Sequence, residues 1–69
     1  MEIVDVRGLS CPIPVIRTKK VLDQGVSELL VLGDSSVSKE NVGKLAGSSG
    51  YTVTMKVDEI NNWEMEIKK

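Results

Sequence analysis

The spacing of apolar positions divides the chain into six elements. Ile3, Val4 and Val6 form a short apolar run that stops at Arg7-Gly8, the pattern of a strand entering a turn. From Pro14 onward, the apolar or small positions Pro14, Val15, Thr18, Val21 and Leu22 fall on one stripe of a helix, which Gln24-Gly25 ends. Glu28 to Leu32 contains the unbroken apolar run Leu29-Leu30-Val31-Leu32, suited to a central strand, and Gly33 and Asp34 close it. Val37-Ser38 reads as the entry to a second helix. There Ser38 caps the free amides, while Val37 and Val42 form the two halves of a hydrophobic staple. Val42, Leu45 and Ala46 then face inward. Gly43 and Gly47 each cost roughly 1 kcal/mol relative to alanine in a helix interior, so this helix must lean on the sheet. Gly50 is its stop.

In the last third the period changes to two. Tyr51, Val53, Met55 and Val57 alternate with Thr52, Thr54 and Lys56; Trp63, Met65 and Ile67 alternate with Glu64, Glu66 and Lys68. Each strand has one wet face. Asp58 to Asn62 is short and turn-like, which makes the pair an antiparallel hairpin. One-faced strands and one-faced helices pack as two layers. The expected fold is therefore an α/β two-layer sandwich of order βαβαββ, a mixed four-stranded sheet with both helices on one face.

Length narrows the function classes. With 69 residues the chain holds one domain with a modest core and no deep catalytic cleft. No segment approaches the roughly 20 apolar residues of a membrane span. Met1 to Asp5 carries an acid where a secretory signal carries lysines, so a cytoplasmic location is expected. Nine basic and ten acidic side chains give a net charge of -1, which argues against a nucleic-acid binder driven by phosphate neutralisation. The two aromatic residues, Tyr51 and Trp63, sit at strand positions and supply no stacking platform. Nucleic acid is not expected as a partner.

The missing residues exclude more. The chain has one cysteine, Cys11, and no histidine. An internal disulfide, a CxxC redox pair, a Cys and His metal site and a Cys-His dyad are all ruled out. Neither metal nor resident cofactor is expected, and any redox partner of Cys11 is another molecule.

The segment Cys11-Pro12-Ile13-Pro14 carries the chemistry. Each proline removes a backbone donor and fixes its own φ, so both belong in the first turn of a helix. Pro12 biases Cys11 toward an extended conformation, which favours Cys11 as the cap and Pro12 as the first helical residue. Pro14 acts on Ile13 in the same way, so a start one turn later stays open. In either case the thiol stands at the positive end of a helix dipole, where its pKa falls below the free value of about 8.5. The Ile13 amide is the expected donor to the sulfur, and Arg7 is a further source of positive charge. A free cysteine in a small protein is more often a buried hydrophobe. A glycine-containing turn, polar Ser10 and two prolines favour an exposed, reactive thiolate instead.

On the helix face opposite the apolar stripe, Ile13, Ile16, Arg17 and Lys20 make an apolar and basic patch beside the thiol. With Arg7, they form the candidate docking surface for an acidic or apolar partner. Scattered surface hydrophobes and solvated charges are the plain alternative. Asp34 reads as a turn or cap residue and Asp5 as a brace for the loop. Trp63, Met55 and Met65 read as core.

The run Val4-Asp5-Val6-Arg7-Gly8-Leu9-Ser10-Cys11-Pro12-Ile13-Pro14, followed by Lys20 and Leu22, resembles the CPxP signature of the TusA/SirA/YedF-like sulfur carriers. Glu40-Asn41-Val42, Leu45-Ala46 and Gly50-Tyr51 resemble the YedF-like branch in particular, so the likeness spans nearly the whole chain. The resemblance implies a two-layer fold like the C-terminal domain of a translation initiation factor, with Cys11 carrying sulfur as a transient persulfide. By the same resemblance Pro12 and Pro14 hold the helix start, and Asp5, Gly8 and Lys20 match signature positions. The implied partners are a sulfur-donor protein, such as a cysteine desulfurase, and an acceptor relay protein. The YedF-like branch is linked to selenium metabolism and usually has a second, DsrE-related domain. A free-standing member and a piece of a two-domain protein therefore both stay open. Two alternatives remain: a redox-sensing or regulatory binding module without transfer activity, and RNA binding, which rests on the fold analogy alone.

Overall fold

The computed structural model describes residues 2–10 and 12–69. Cys11, and with it the expected thiol geometry, lies outside the described residues. The elements follow in the order β1 (Glu2–Asp5), α1 (Ile13–Leu22), β2 (Glu28–Gly33), α2 (Ser36–Ser48), β3 (Thr52–Glu59) and β4 (Asn62–Lys68). They form the expected α/β sandwich around one mixed sheet of order β1-β2-β4-β3. β1 and β2 are parallel, joined through α1; β4 runs antiparallel to β2 and to β3.

Burial follows the pattern of the strands. Along β2 the buried residues Leu29, Val31 and Gly33 alternate with half-buried ones, so Leu30 and Leu32 lie on the face that, among the described residues, no helix covers. The covered face supplies Val6, Leu29, Val31, Trp63, Met65 and Ile67 to a core that Leu22, Val42 and Ala46 complete from the helices. Thr18, on the buried stripe of α1, donates its hydroxyl to the Pro14 carbonyl at 2.9 Å, which satisfies the polar atom inside the helix. Tyr51 donates its hydroxyl to the Val26 carbonyl at 2.9 Å and ties the loop before β2 to the start of β3.

Three local expectations are corrected. The cap of α2 is Ser35, whose side chain accepts from the Ser38 amide. Ser38 is buried, and Val37 is 58% exposed, so no staple forms. Starting the helix at Ser36 turns Val37 outward and Ser38 inward. The hairpin loop is also shorter than its composition suggests: Glu59 pairs with Asn62, leaving Ile60-Asn61 as the turn. A bulge between Met55 and Val57 shifts the register of β3, so Met55 opposes Met65 but Val57 opposes Glu64. An extra residue in one strand reverses the faces beyond it. Val57 therefore joins the uncovered face. Asp58 turns toward α2, where it accepts from Lys39 Nζ at 2.8 Å. Elsewhere, α2 ends as expected before Gly50. The Gly50 and Tyr51 amides donate to Gly47 and Ala46 at 3.2 and 3.0 Å, the paired bonds of a Schellman motif.

Candidate functional site

The C-terminal ends of β1 and β2 and the N-terminal ends of α1 and α2 meet at one end of the sheet. The chain leaves β1 through the turn Val6-Arg7-Gly8-Leu9, closed by the Leu9 amide on the Val6 carbonyl at 3.3 Å. Gly8 has φ +75°, a left-handed value that suits glycine at the third position of a type II turn. Leu9 is half-buried against the core, so the loop is anchored by an apolar side chain as well as by its turn.

Two carboxylates hold this loop. Asp5 Oδ1 accepts from the Arg7 backbone amide at 3.0 Å and from Arg7 Nε at 2.9 Å, and Oδ2 accepts from Arg7 Nη2 at 2.8 Å. The fork of the guanidinium thus meets both oxygens, the geometry that makes arginine–carboxylate pairs specific. The Arg7 side-chain and backbone hydrogen bonds lower the Asp5 pKa to about 2. The same partnership raises that of Arg7. Arg7, read from sequence as a further source of positive charge beside the thiol, is paired with Asp5.

The second carboxylate comes from the β2–α2 connection. Asp34 Oδ2 accepts from the Gly8 amide at 2.9 Å, so a residue 26 positions away in sequence clamps the turn that leads to Cys11. Asp34 is itself held from both sides. Gly33 lies against the Trp63 ring, in space a Cβ would have to share with the indole. Trp63 Nε1 donates to the Ser35 carbonyl at 2.8 Å, while the Ser35 hydroxyl caps α2. Trp63, read from sequence as core, is core and also fixes the backbone on each side of Asp34. Asp34, read as a turn residue, bonds across two loops. That pairing left no local signal, because hydrogen-bond partners so distant in sequence follow no spacing rule.

Beyond position 11, α1 begins at Ile13 with Pro12 in the cap position and no side-chain cap. The expected cap at Cys11 is corrected by one residue. Pro12 at φ -96° and ψ 13° is not yet helical, and the Ile13 amide turns back to the Ser10 carbonyl at 3.0 Å. That bond removes the Ile13 amide as the expected donor to the sulfur. Pro14 is fully buried, so the second proline of the motif ties the helix start to the core, whereas Pro12 is exposed. The residues before and after Cys11-Pro12 in sequence are thus joined by a backbone hydrogen bond.

The five docking candidates separate. Ile13 and Ile16 are 43% and 56% exposed on the first turns of α1. Arg17 and Lys20 line an open groove between α1 and β1 with Ile3, Val4, Asp5, Val21 and Gln24. Arg7 stays with Asp5. Among the described residues no helix is long and apolar enough to cross a membrane, and no group of three or more His, Cys, Asp or Glu is placed to hold a metal ion.

Comparison with known proteins gives a consistent result. The family model described as Sulfurtransferase TusA matches residues 2–69. A protein of Methanocaldococcus jannaschii named as a sulfur carrier is 38% identical over 71 residues, spanning 100% of this chain and 95% of that protein. The crystal structure of a SirA-like protein from Desulfitobacterium hafniense superposes with a TM-score of 0.84 at 35% identity, covering 99% of this chain and 96% of that one.

Proposed function

The chain belongs to the TusA family, and from that membership we propose that Cys11 carries sulfur between proteins as a persulfide. The Cys11 thiolate attacks the terminal sulfur of a donor persulfide. A new S–S bond forms to Cys11 as the donor's own S–S bond breaks, and the donor leaves as a thiolate. An acceptor thiolate then attacks the same terminal sulfur and releases the Cys11 thiolate. No electrons are gained or lost overall, so the exchange needs no cofactor.

The observation that supports this reading is the set of bonds and contacts that hold the described residues on either side of position 11 in sequence. Asp34 holds Gly8, Asp5 holds Arg7, Ser10 accepts from Ile13 and Pro14 is buried. Cys11 precedes the first residue of α1 by two positions in sequence, and we propose that the dipole of this helix favours its ionised sulfur. Sulfur exchange between two proteins asks for little more, because docking supplies the orientation that a cleft supplies in a larger enzyme. Ile13 and Ile16, exposed on the first turns of the same helix, supply an apolar contact for the donor and the acceptor, each proposed to be a protein.

The test is persulfide loading. Incubated with a cysteine desulfurase and cysteine, the protein gains the mass of one sulfur atom, and the Cys11→Ser variant does not. Selenocysteine in place of cysteine tests selenium as cargo by the corresponding mass. If the Cys11 thiolate forms a mixed disulfide with glutathione disulfide, releasing one glutathione thiolate, yet takes sulfur from no persulfide donor, the carrier role fails and the redox-sensing module replaces it.

A further inference from the structure

The chain has nine basic residues, and seven of them have a partner in the structure. Arg7, Lys19, Lys39, Lys44, Lys56 and Lys68 each reach a carboxylate, and Lys69 lies over the Tyr51 ring at 5.4 Å. No ion pair involves the remaining two, Arg17 and Lys20, among the described residues. Both line the same groove, the one between α1 and β1.

That groove runs along an edge of the sheet. Among the described residues β1 pairs only with β2. The Val6 amide donates to the Leu32 carbonyl at 2.8 Å, so the backbone groups of Val6 and Val4 point toward β2. By the alternation of a strand, the N–H and C=O groups of Ile3 and Asp5 point out from the edge. Ile3 is 62% exposed. The edge thus offers backbone hydrogen bonds, an apolar side chain on the uncovered face, and two unpaired cations on the helix-covered side.

We propose that this edge and groove bind an extended, acidic segment of a partner protein, which adds to the sheet beside β1 as a further strand. A strand laid there sits about 4.8 Å from β1 and sends successive side chains to opposite faces. Those on the helix side meet Arg17 and Lys20 and are acidic. Those on the other side extend the row begun by Ile3 and Leu30 and are apolar. The recognised pattern is therefore acidic and apolar residues in alternation. A second copy of this chain does not fit the edge, because pairing β1 with β1 brings two sets of Arg17 and Lys20 together. This surface is separate from the thiol chemistry, and its test runs equally well on the Cys11→Ser variant.

The probe is an end-blocked synthetic peptide of alternating glutamate and valine, titrated into the isotopically labelled full chain and followed by amide resonances. A peptide with lysine in place of glutamate and a single-stranded DNA oligonucleotide serve as comparisons. The glutamate peptide shifts the Ile3 and Asp5 amides and those of Arg17 and Lys20. Reversing both cations, Arg17→Glu with Lys20→Glu, weakens it at least tenfold. Ile3→Pro removes an outward-facing edge donor without touching the bonds to β2 and also abolishes binding, while thermal stability of the double charge variant stays close to the parent's. Equal binding of the lysine peptide, tighter binding of the oligonucleotide at the same residues, or no shift at Ile3 and Asp5 overturns the proposal.

Discussion

Replacing Asp34 with alanine removes the hydrogen bond that, among the described residues, ties the β2–α2 connection to the turn before Cys11. The Gly8 amide loses a carboxylate acceptor at 2.9 Å. Hydrogen bonds to charged groups contribute about 1.5–3 kcal/mol when well protected. Asp34 is half-buried and Gly8 exposed, so water replaces part of that bond and about 1 kcal/mol is the expected net loss. That corresponds to roughly a fivefold rise in the open population of the turn. In a chain of this size it lowers the melting temperature by about 4–8 °C if the whole loss is global. The two readouts separate the cases. Amide exchange at Gly8 accelerates about fivefold in the variant, as expected for a local opening, while exchange in β4 changes only as far as the melting temperature moves. Asp34→Asn retains an acceptor oxygen and falls between the parent and Asp34→Ala. Unchanged exchange at Gly8 in Asp34→Ala refutes the clamp, whatever happens to overall stability.

Other substitutions probe the same frame. Gly33→Ala forces a methyl group into the space of the Trp63 ring and costs about 1–3 kcal/mol by overpacking, measured by urea denaturation. Gly8→Ala meets no neighbouring atom, so its cost of about 1–2 kcal/mol comes from the left-handed backbone alone; it speeds amide exchange at Leu9 more than a substitution at exposed Gly47 does. For Asp5, whose carboxyl pKa is lowered to about 2 by the Arg7 hydrogen bonds, the bracing of the loop is fully present above the unfolded value of about 3.9. It is lost as pH falls through about 2. Carbon-detected titration of the Asp5 carboxyl gives that midpoint, and Arg7→Ala returns it toward the ordinary aspartate value.

The strand and helix order is readable from sequence because the helices and the last two strands each have one wet face, while β2 is marked by its unbroken apolar run Leu29-Leu30-Val31-Leu32. Pro14, Thr18 and Leu22 fall on a stripe that is buried, and Trp63, Met65 and Ile67 alternate as a covered strand does. Details that depend on tertiary contact are not. Ser35, Ser36 and Ser38 all have capping chemistry, and only the packing of Trp63 on the Ser35 carbonyl selects the first. The bulge at Lys56 leaves the apolar spacing of Val53, Met55 and Val57 intact while sending Val57 to the other face. At the site, the tight CPxP spacing marks the loop, but the turn that takes the Ile13 amide to the Ser10 carbonyl leaves no trace in composition, so that amide looks free for the sulfur. The Asp34 clamp is invisible for a different reason. Asp34 and Gly8 lie on separate loops, brought together by the parallel pairing of β1 with β2.

Sulfur transfer through Cys11 requires an accessible, ionised sulfur, and the rate of alkylation against pH reads this out. Iodoacetamide is added to the native protein, and Cys11 modification is followed by intact mass, with the Cys11→Ser variant as blank. Rapid labelling is expected, with a half-maximal rate at a pH below the free-thiol value of about 8.5. A slow rate that rises only above that value, or labelling that appears only in denaturant, contradicts sulfur transfer through Cys11.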